Sequence, residues 1–157
     1  MVTSLDLLTL GTAKTVGILD CDNHYGNGTG DIIKSLGNED RITHFTTGKS
    51  HFEPVSFLKT LADRLRNLYS ACDVVLYQAG ADLHINDTLG GWMTTAQLHE
   101  RDVIVFEIAR EMRLPVAWNF AGGYQRDANG QILPVLQIHY NTMKACLSGH
   151  QDGLFSN

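Results

Sequence analysis

Three short stretches of the chain carry residue types that do chemistry, and each follows an apolar run. The first is Asp20-Cys21-Asp22-Asn23-His24-Tyr25-Gly26-Asn27-Gly28-Thr29-Gly30. The second is Gln78-Ala79-Gly80-Ala81-Asp82, with His84, Asp87 and Gly90-Gly91 behind it, and the third is Phe120-Ala121-Gly122-Gly123-Tyr124. Alternate side chains of an extended segment share a face, so Asp20, Asp22 and His24 are expected on one side. Two carboxylates and an imidazole repel anions and suit a divalent metal. Oxygen and nitrogen donors without thiolate fit zinc, and iron or manganese nearly as well. The same residues also read as an acidic turn whose Asp side chains bond local amides. A phosphate-cradling loop is a third reading, resting on Gly26, Gly28 and Gly30. Against it, the spacing is GxGxG, no P-loop lysine follows, and two aspartates stand upstream to oppose phosphate charge.

If the strands feeding the first two stretches are neighbours, Asp82 sits across the crevice from Asp22. It then completes an Asp-His-Asp set with positions left open for water and substrate, as a catalytic zinc requires. His84 lies two residues further on and is the second imidazole expected near that metal; a His in such a place also serves to cap a loop. Paired glycines at Gly122-Gly123 let the backbone turn tightly beside a ligand, and Tyr124 then carries its hydroxyl over the crevice. By itself the third stretch reads as a turn with a packing aromatic.

The elements that must position these residues follow from periodicity. Apolar runs at 16–21, 42–46, 73–78 and 115–120 predict strands, and near-continuous hydrophobicity in three of them predicts a parallel sheet with helices on both faces. Leu58, Leu61, Leu65 and Leu68 recur at helical spacing over 54–70, with Pro54 suited to a first turn. Thr94 and Gln97 form a capping-box pattern at the start of a helix whose inner face is Leu98, Val105, Ile108, Ala109 and Met112, and Pro115 prevents its continuation. Shorter patterns predict helices over 31–36, closed by Gly37, and over 134–147. Alternating strands and helices make this an α/β domain, and the neighbouring of first and third strands that would bring Asp82 across from Asp22 corresponds to the order second-first-third-fourth. The functional crevice of such a sheet lies beyond the carboxyl ends of its strands, where all three stretches fall.

Length and composition narrow the classes. The chain has 157 residues, enough for one domain; residues 1–15 read as a lead-in and 149–157 as a mobile tail. Its net charge of −5, with no Lys/Arg-rich run, argues against a nucleic-acid backbone as partner. Cys21, Cys72 and Cys146 are odd in number and widely spaced, which predicts reduced thiols and a cytoplasmic setting. No basic n-region opens the chain and no window has the length and apolarity of a membrane span, so neither export nor a membrane partner is expected.

Taken together and in this order, DCDNHYGNGT, QAGAD followed by DTLGG, and AGGY resemble the histone deacetylase/acetylpolyamine amidohydrolase family, and the GNGT form is closest to its class II branch. The resemblance covers about Val16 to Leu147 and implies a shortened arginase/deacetylase-like fold. It implies zinc held by Asp22, His24 and Asp82, and Tyr124 stabilising the oxyanion of an acetylated amine, either acetyl-lysine or an acetylpolyamine. Asp20 matches an aspartate that helps form a monovalent-cation site, so K⁺ is expected beside it. Two departures stand out. His24-Tyr25 replaces the usual His-His, and the family's upstream His-His pair, its general base, has no counterpart, because none of residues 1–15 is His. That assistance is typically worth about 10²–10⁴-fold, which leaves His84 as the expected substitute. A shortened sheet also exposes an edge, so a second copy or a partner chain is expected to cover it, and a non-catalytic metal-binding or assembly module is the alternative reading.

Overall fold

The computed structural model describes residues 1–49 and 52–148. At its centre is an all-parallel sheet of four strands, β1 (Val16–Asp20), β2 (Ile42–Thr46), β3 (Val74–Gly80) and β4 (Val116–Ala121), in the order β2-β1-β3-β4. This is the order expected from the sequence. In the β1–β3 register Asp20 stands opposite Gln78, so Asp22 and Asp82 emerge from adjacent strand ends.

Five helices flank the sheet: α1 (Val2–Thr9), α2 (Asn27–Ser35), α3 (Pro54–Tyr69), α4 (Thr95–Glu111) and α5 (Leu133–Ser148). One face packs Leu19, Tyr77 and Ala79 against apolar side chains of α3, α4 and α5, while the other packs Val16 and Ile42 against Leu8 of α1 and Ile33 of α2. Burial on both faces is why β1 reads as a continuous apolar run. Helix α3 starts where the Glu53 carboxylate accepts the Val55 and Ser56 amides, with Pro54 supplying a pre-set first φ. The expected capping box is formed by Thr94 and Gln97 at the start of α4.

The inner face of α4 carries more than its apolar residues. Arg101 and Asp102 are also fully buried there. The Arg101 guanidinium donates to the Gly80 carbonyl at 2.8 Å and the Cys21 carbonyl at 3.4 Å, which are the last links of β3 and β1 before Asp82 and Asp22. Asp102 neutralises it at 2.8 Å and accepts the Thr142 hydroxyl of α5 at 2.5 Å and the Tyr77 hydroxyl of β3. One buried ion pair thus joins the site end of the sheet to two helices.

Local differences from the sequence expectation have simple causes. Helix α2 begins at Asn27 and not at 31, taking in Gly28 and Gly30, whose positions are open to solvent and cost the helix no packing. The lead-in contains α1, whose Leu8 joins the core although no strong periodicity marks it. The expected tail at 149–157 lies outside the described residues. Strand β4 forms one edge of the sheet. On α5, Leu133, Leu136, Tyr140, Met143 and Leu147 recur at spacings of three and four, all exposed, opposite the buried Val135, Ile138, Thr142 and Ala145. Among the described residues no helix is long and apolar enough to cross a membrane.

Candidate metal centre

Strand β1 ends at Asp20, and the chain then bends sharply through Asp22, Asn23 and His24. The bend is held by Asp22, whose Oδ1 accepts the His24 amide at 2.7 Å and lies 3.0 Å from His24 Nδ1. The Thr47 hydroxyl secures it from the β2 side by donating to the Asp22 carbonyl at 2.6 Å. Asp82 follows β3 directly, and its Oδ1 accepts the Asn23 amide at 3.1 Å. Asp22, His24 and Asp82 therefore meet, with donor atoms all within 4.8 Å of one another.

Two glycines make this approach possible. A Cβ on Gly80 would sit 2.6 Å from the Asp22 Cα, so β3 and the metal loop touch only because it has none. Gly122 has φ +54, a conformation that disfavours side chains, and a Cβ there would lie 2.5 Å from Asp82 Cγ. The AGGY turn is thus laid directly on a candidate ligand.

The arrangement fits a divalent ion. Asp82 is fully buried, and among the described residues its Oδ2 faces the half-exposed imidazole of His24, with Nδ1 3.0 Å away. A buried carboxylate met by so little positive charge is costly, and a cation would complete it. Separations of 3.0 Å are close to the ~3.3 Å edge of a tetrahedron with zinc bonds of about 2.0 Å. Burial, with the Asp22 charge added to it, pushes Asp82 up to about 7. His24 loses basicity to burial but gains more from its hydrogen bond to Asp22 and from both carboxylate charges, so its pKa is raised. These are the marks of negative charge gathered without a counter-ion. His24 is half exposed, which leaves one side of the site open.

The other expected residues fall around this group. Asp20 is not in it: the strand ends there, so the alternation that placed it beside Asp22 stops. Its Oδ1 accepts the Asp22 amide at 3.2 Å and the Gln78 side-chain amide at 3.1 Å, and burial raises its pKa to about 6. His84 is buried in the following loop, where Nδ1 accepts the Asn86 amide at 3.1 Å and Nε2 pairs with the Thr95 hydroxyl at 3.0 Å. Tyr124 is about half exposed, two residues beyond the glycine that packs on Asp82. Its amide donates to Asp87 Oδ2 at 2.7 Å. A groove lined by Asn23, Thr47, Lys49, Leu89 and Trp92 runs beside the metal loop.

Sequence reasoning named Asp87 and Asn23 without giving them a role, and it passed over the Arg101–Asp102 pair. Asn23 donates its side-chain amide to the Gly90 carbonyl, tying the metal loop to the loop after Asp82. The available signal for Arg101 and Asp102 was position, since both fall on the inner face of α4 that begins at Leu98.

No family model matches the sequence. An uncharacterized protein of Picosynechococcus sp. is 28% identical in a 147-residue alignment that covers 82% of this chain and 49% of that protein. Among solved structures, an HDAC homolog from Aquifex aeolicus is similar with a TM-score of 0.64 at 16% identity, covering 92% of this chain and 44% of its own. An HDAC homolog complexed with SAHA has a TM-score of 0.60 at 17% identity, with the same coverage. The chain spans about half the length of the proteins it matches. The fold is a shortened, deacetylase-like α/β layer.

Titration with zinc is expected to give one site, lost in Asp22→Ala and in Asp82→Ala. Gly122→Ala should keep the fold but weaken zinc about 10–100-fold, because its new methyl displaces a ligand carboxylate. Calorimetry that finds no zinc uptake by the wild type, or equal uptake by all variants, contradicts the assignment.

Proposed function

We propose that the chain is the metal-binding part of a zinc-dependent deacetylase-like amidohydrolase acting on an acetylated amine, acetyl-lysine or an acetylpolyamine. The observation that carries this reading is the convergence of Asp22, His24 and the buried carboxylate of Asp82 at adjacent strand ends. Support comes also from the likeness of fold to HDAC homologs, one of them complexed with SAHA. Asp22, His24 and Asp82 would hold the ion. When bound, it supplies Lewis acidity toward a carbonyl and makes water a stronger acid at neutral pH.

The remaining work falls to the chain's own residues. Tyr124 donates its hydroxyl to the oxyanion that develops on the attacked acetyl carbonyl, from a turn braced against Asp82. Its half-exposed position lets a substrate reach it. The proton of the attacking water needs an acceptor, and His84 enters with one requirement: its ring must release the Asn86 amide or the Thr95 hydroxyl to free a nitrogen. K⁺ beside Asp20 rests on the family resemblance, with one carboxylate oxygen there already accepting two amides. The same reading places the chain in the cytoplasm, where its free thiols stay reduced.

On an acetyl-lysine reporter, Tyr124→Phe is expected to lower turnover about 10²–10³-fold with zinc content unchanged. His84→Ala should lower turnover as well at full metal content. Wild-type rates in Tyr124→Phe contradict the oxyanion role, and wild-type rates in His84→Ala remove that residue from the chemistry.

A second reading, a non-catalytic assembly module, is favoured by the exposed stripe on α5. Spacings of three and four are a pattern by which two helices interlock, and on this reading the occupant is a second copy of this chain. Five half-exposed large side chains present on the order of 500 Å² of apolar surface, a large share of the ~800 Å² each partner contributes to a standard interface. Sedimentation should show a dimer that Leu136→Glu dissociates. A wild-type monomer at high micromolar concentration rules out this face as a dimer contact.

A further inference from the structure

We infer that Asp87 is a positioning residue: its buried carboxylate fixes the backbone at Tyr124 and so sets where the phenol can act. The inference rests on the proposed role of Tyr124 for its catalytic consequence, but not for the contact itself. Asp87 is only 6% exposed, and its two oxygens serve two segments far apart in sequence. Oδ1 accepts the Leu89 amide at 3.0 Å within its own loop, and Oδ2 accepts the Tyr124 amide at 2.7 Å. A residue present only to shape its own turn would need the first bond alone.

The Tyr124 segment needs such a hold. Gly122 and Gly123 precede it at φ +54 and +102, and residues 122–132 belong to no strand or helix. Two glycines in succession leave the following backbone many conformations to lose, and a charged acceptor is among the stronger ways to select one. The loop that carries Asp87 is itself anchored on both sides. The His84 ring ties it to Thr95 at the head of α4, and the Gly90 carbonyl accepts the Asn23 side chain from the metal loop. Metal loop, Asp87 loop and tyrosine turn are therefore one braced unit, and Asp87 is its link to the tyrosine.

Asparagine cannot replace it. Leu89 and Tyr124 use different oxygens of Asp87, and in asparagine one of those two positions becomes an NH₂ that would face an N–H, so the present pair of bonds is lost. The test uses the zinc-loaded full chain and follows the Tyr124 amide by NMR hydrogen exchange. In Asp87→Asn that amide should exchange about 10–100-fold faster, the loss expected for a hydrogen bond to a charged group. Asp127→Asn is the control, because Asp127 accepts only the Asn129 and Gln131 amides of a neighbouring turn, and it should leave Tyr124 unchanged. Asp87→Glu keeps the charge and both acceptors on a longer stem, and should fold and shift the Tyr124 resonance. Zinc content should be equal in all three.

In turnover, Asp87→Asn should lower kcat with KM unchanged, and Asp87→Asn/Tyr124→Phe should be no slower than Tyr124→Phe alone. Unaltered Tyr124 exchange and resonance in the folded Asp87 variants overturns the inference, as does an additive loss in the double variant. Absence of wild-type turnover sinks the proposed activity and not this contact, which the amide readout still decides.

Discussion

Everything at the site hangs on a cation with no access to solvent. Arg101 is fully buried under the sheet, and its guanidinium holds the last carbonyl of β3, two residues before Asp82, and the carbonyl just past β1, one residue before Asp22. Burial works against this charge, and the adjacent Asp102 outweighs it, so the guanidinium stays protonated. A buried pair of this kind is weak evidence of added stability, since desolvation offsets much of its attraction. Removing one member alone is different and typically costs about 3–5 kcal/mol, because the other is left uncompensated. The pair therefore acts as a registry device. With it in place the two strand ends have one separation, and their carboxylates have one place to go.

That placement concentrates negative charge against a single half-exposed imidazole. Asp82 is fully buried, Asp22 mostly so, and among the described residues His24 is the basic group that pairs with both. Structural carboxylates of this kind normally meet a guanidinium or several amides. Arg101 is close behind but is spent on backbone carbonyls and Asp102, so it holds the backbone that carries Asp22 and Asp82 without competing for their oxygens. The glycines complete the arrangement by removing bulk: Gly80 lets the two strand ends touch, and Gly122 lays the tyrosine turn on Asp82. Cost and function coincide at these residues, since each gives up packing or solvation to bring a donor atom a little closer.

Much of this was legible in the sequence, and the parts that were not share a cause. Strands and long helices announce themselves through local periodicity, and the leucine stripe of α3 and the Thr94–Gln97 box lie where the pattern predicts. The grouping of Asp22, His24 and Asp82 was open to reasoning because their types are chemically specific, on the condition that the first and third strands are neighbours, which the sheet order supplies. Contacts between distant segments were not. Asp87 and Tyr124 are 37 residues apart, and no local pattern couples a loop carboxylate to a turn amide. Arg101 and Asp102 fall on the inner stripe of α4, but charges at core positions are read as exceptions until their partners, two backbone carbonyls, are known. The placement of Asp20 failed to follow strand alternation because the chain bends immediately after it. The glycine-rich start of α2 resembles a loop, since glycine is a poor helix former.

Zinc K-edge X-ray absorption of the reconstituted protein addresses the metal centre most directly. The geometry predicts a first shell of light atoms only, at about 2.0–2.2 Å, with the multiple-scattering signature of a single imidazole and the rest oxygen. A sulfur shell near 2.3 Å, or the signature of two or more imidazoles, would mean that the ion sits elsewhere and that the ends of β1 and β3 do not hold it.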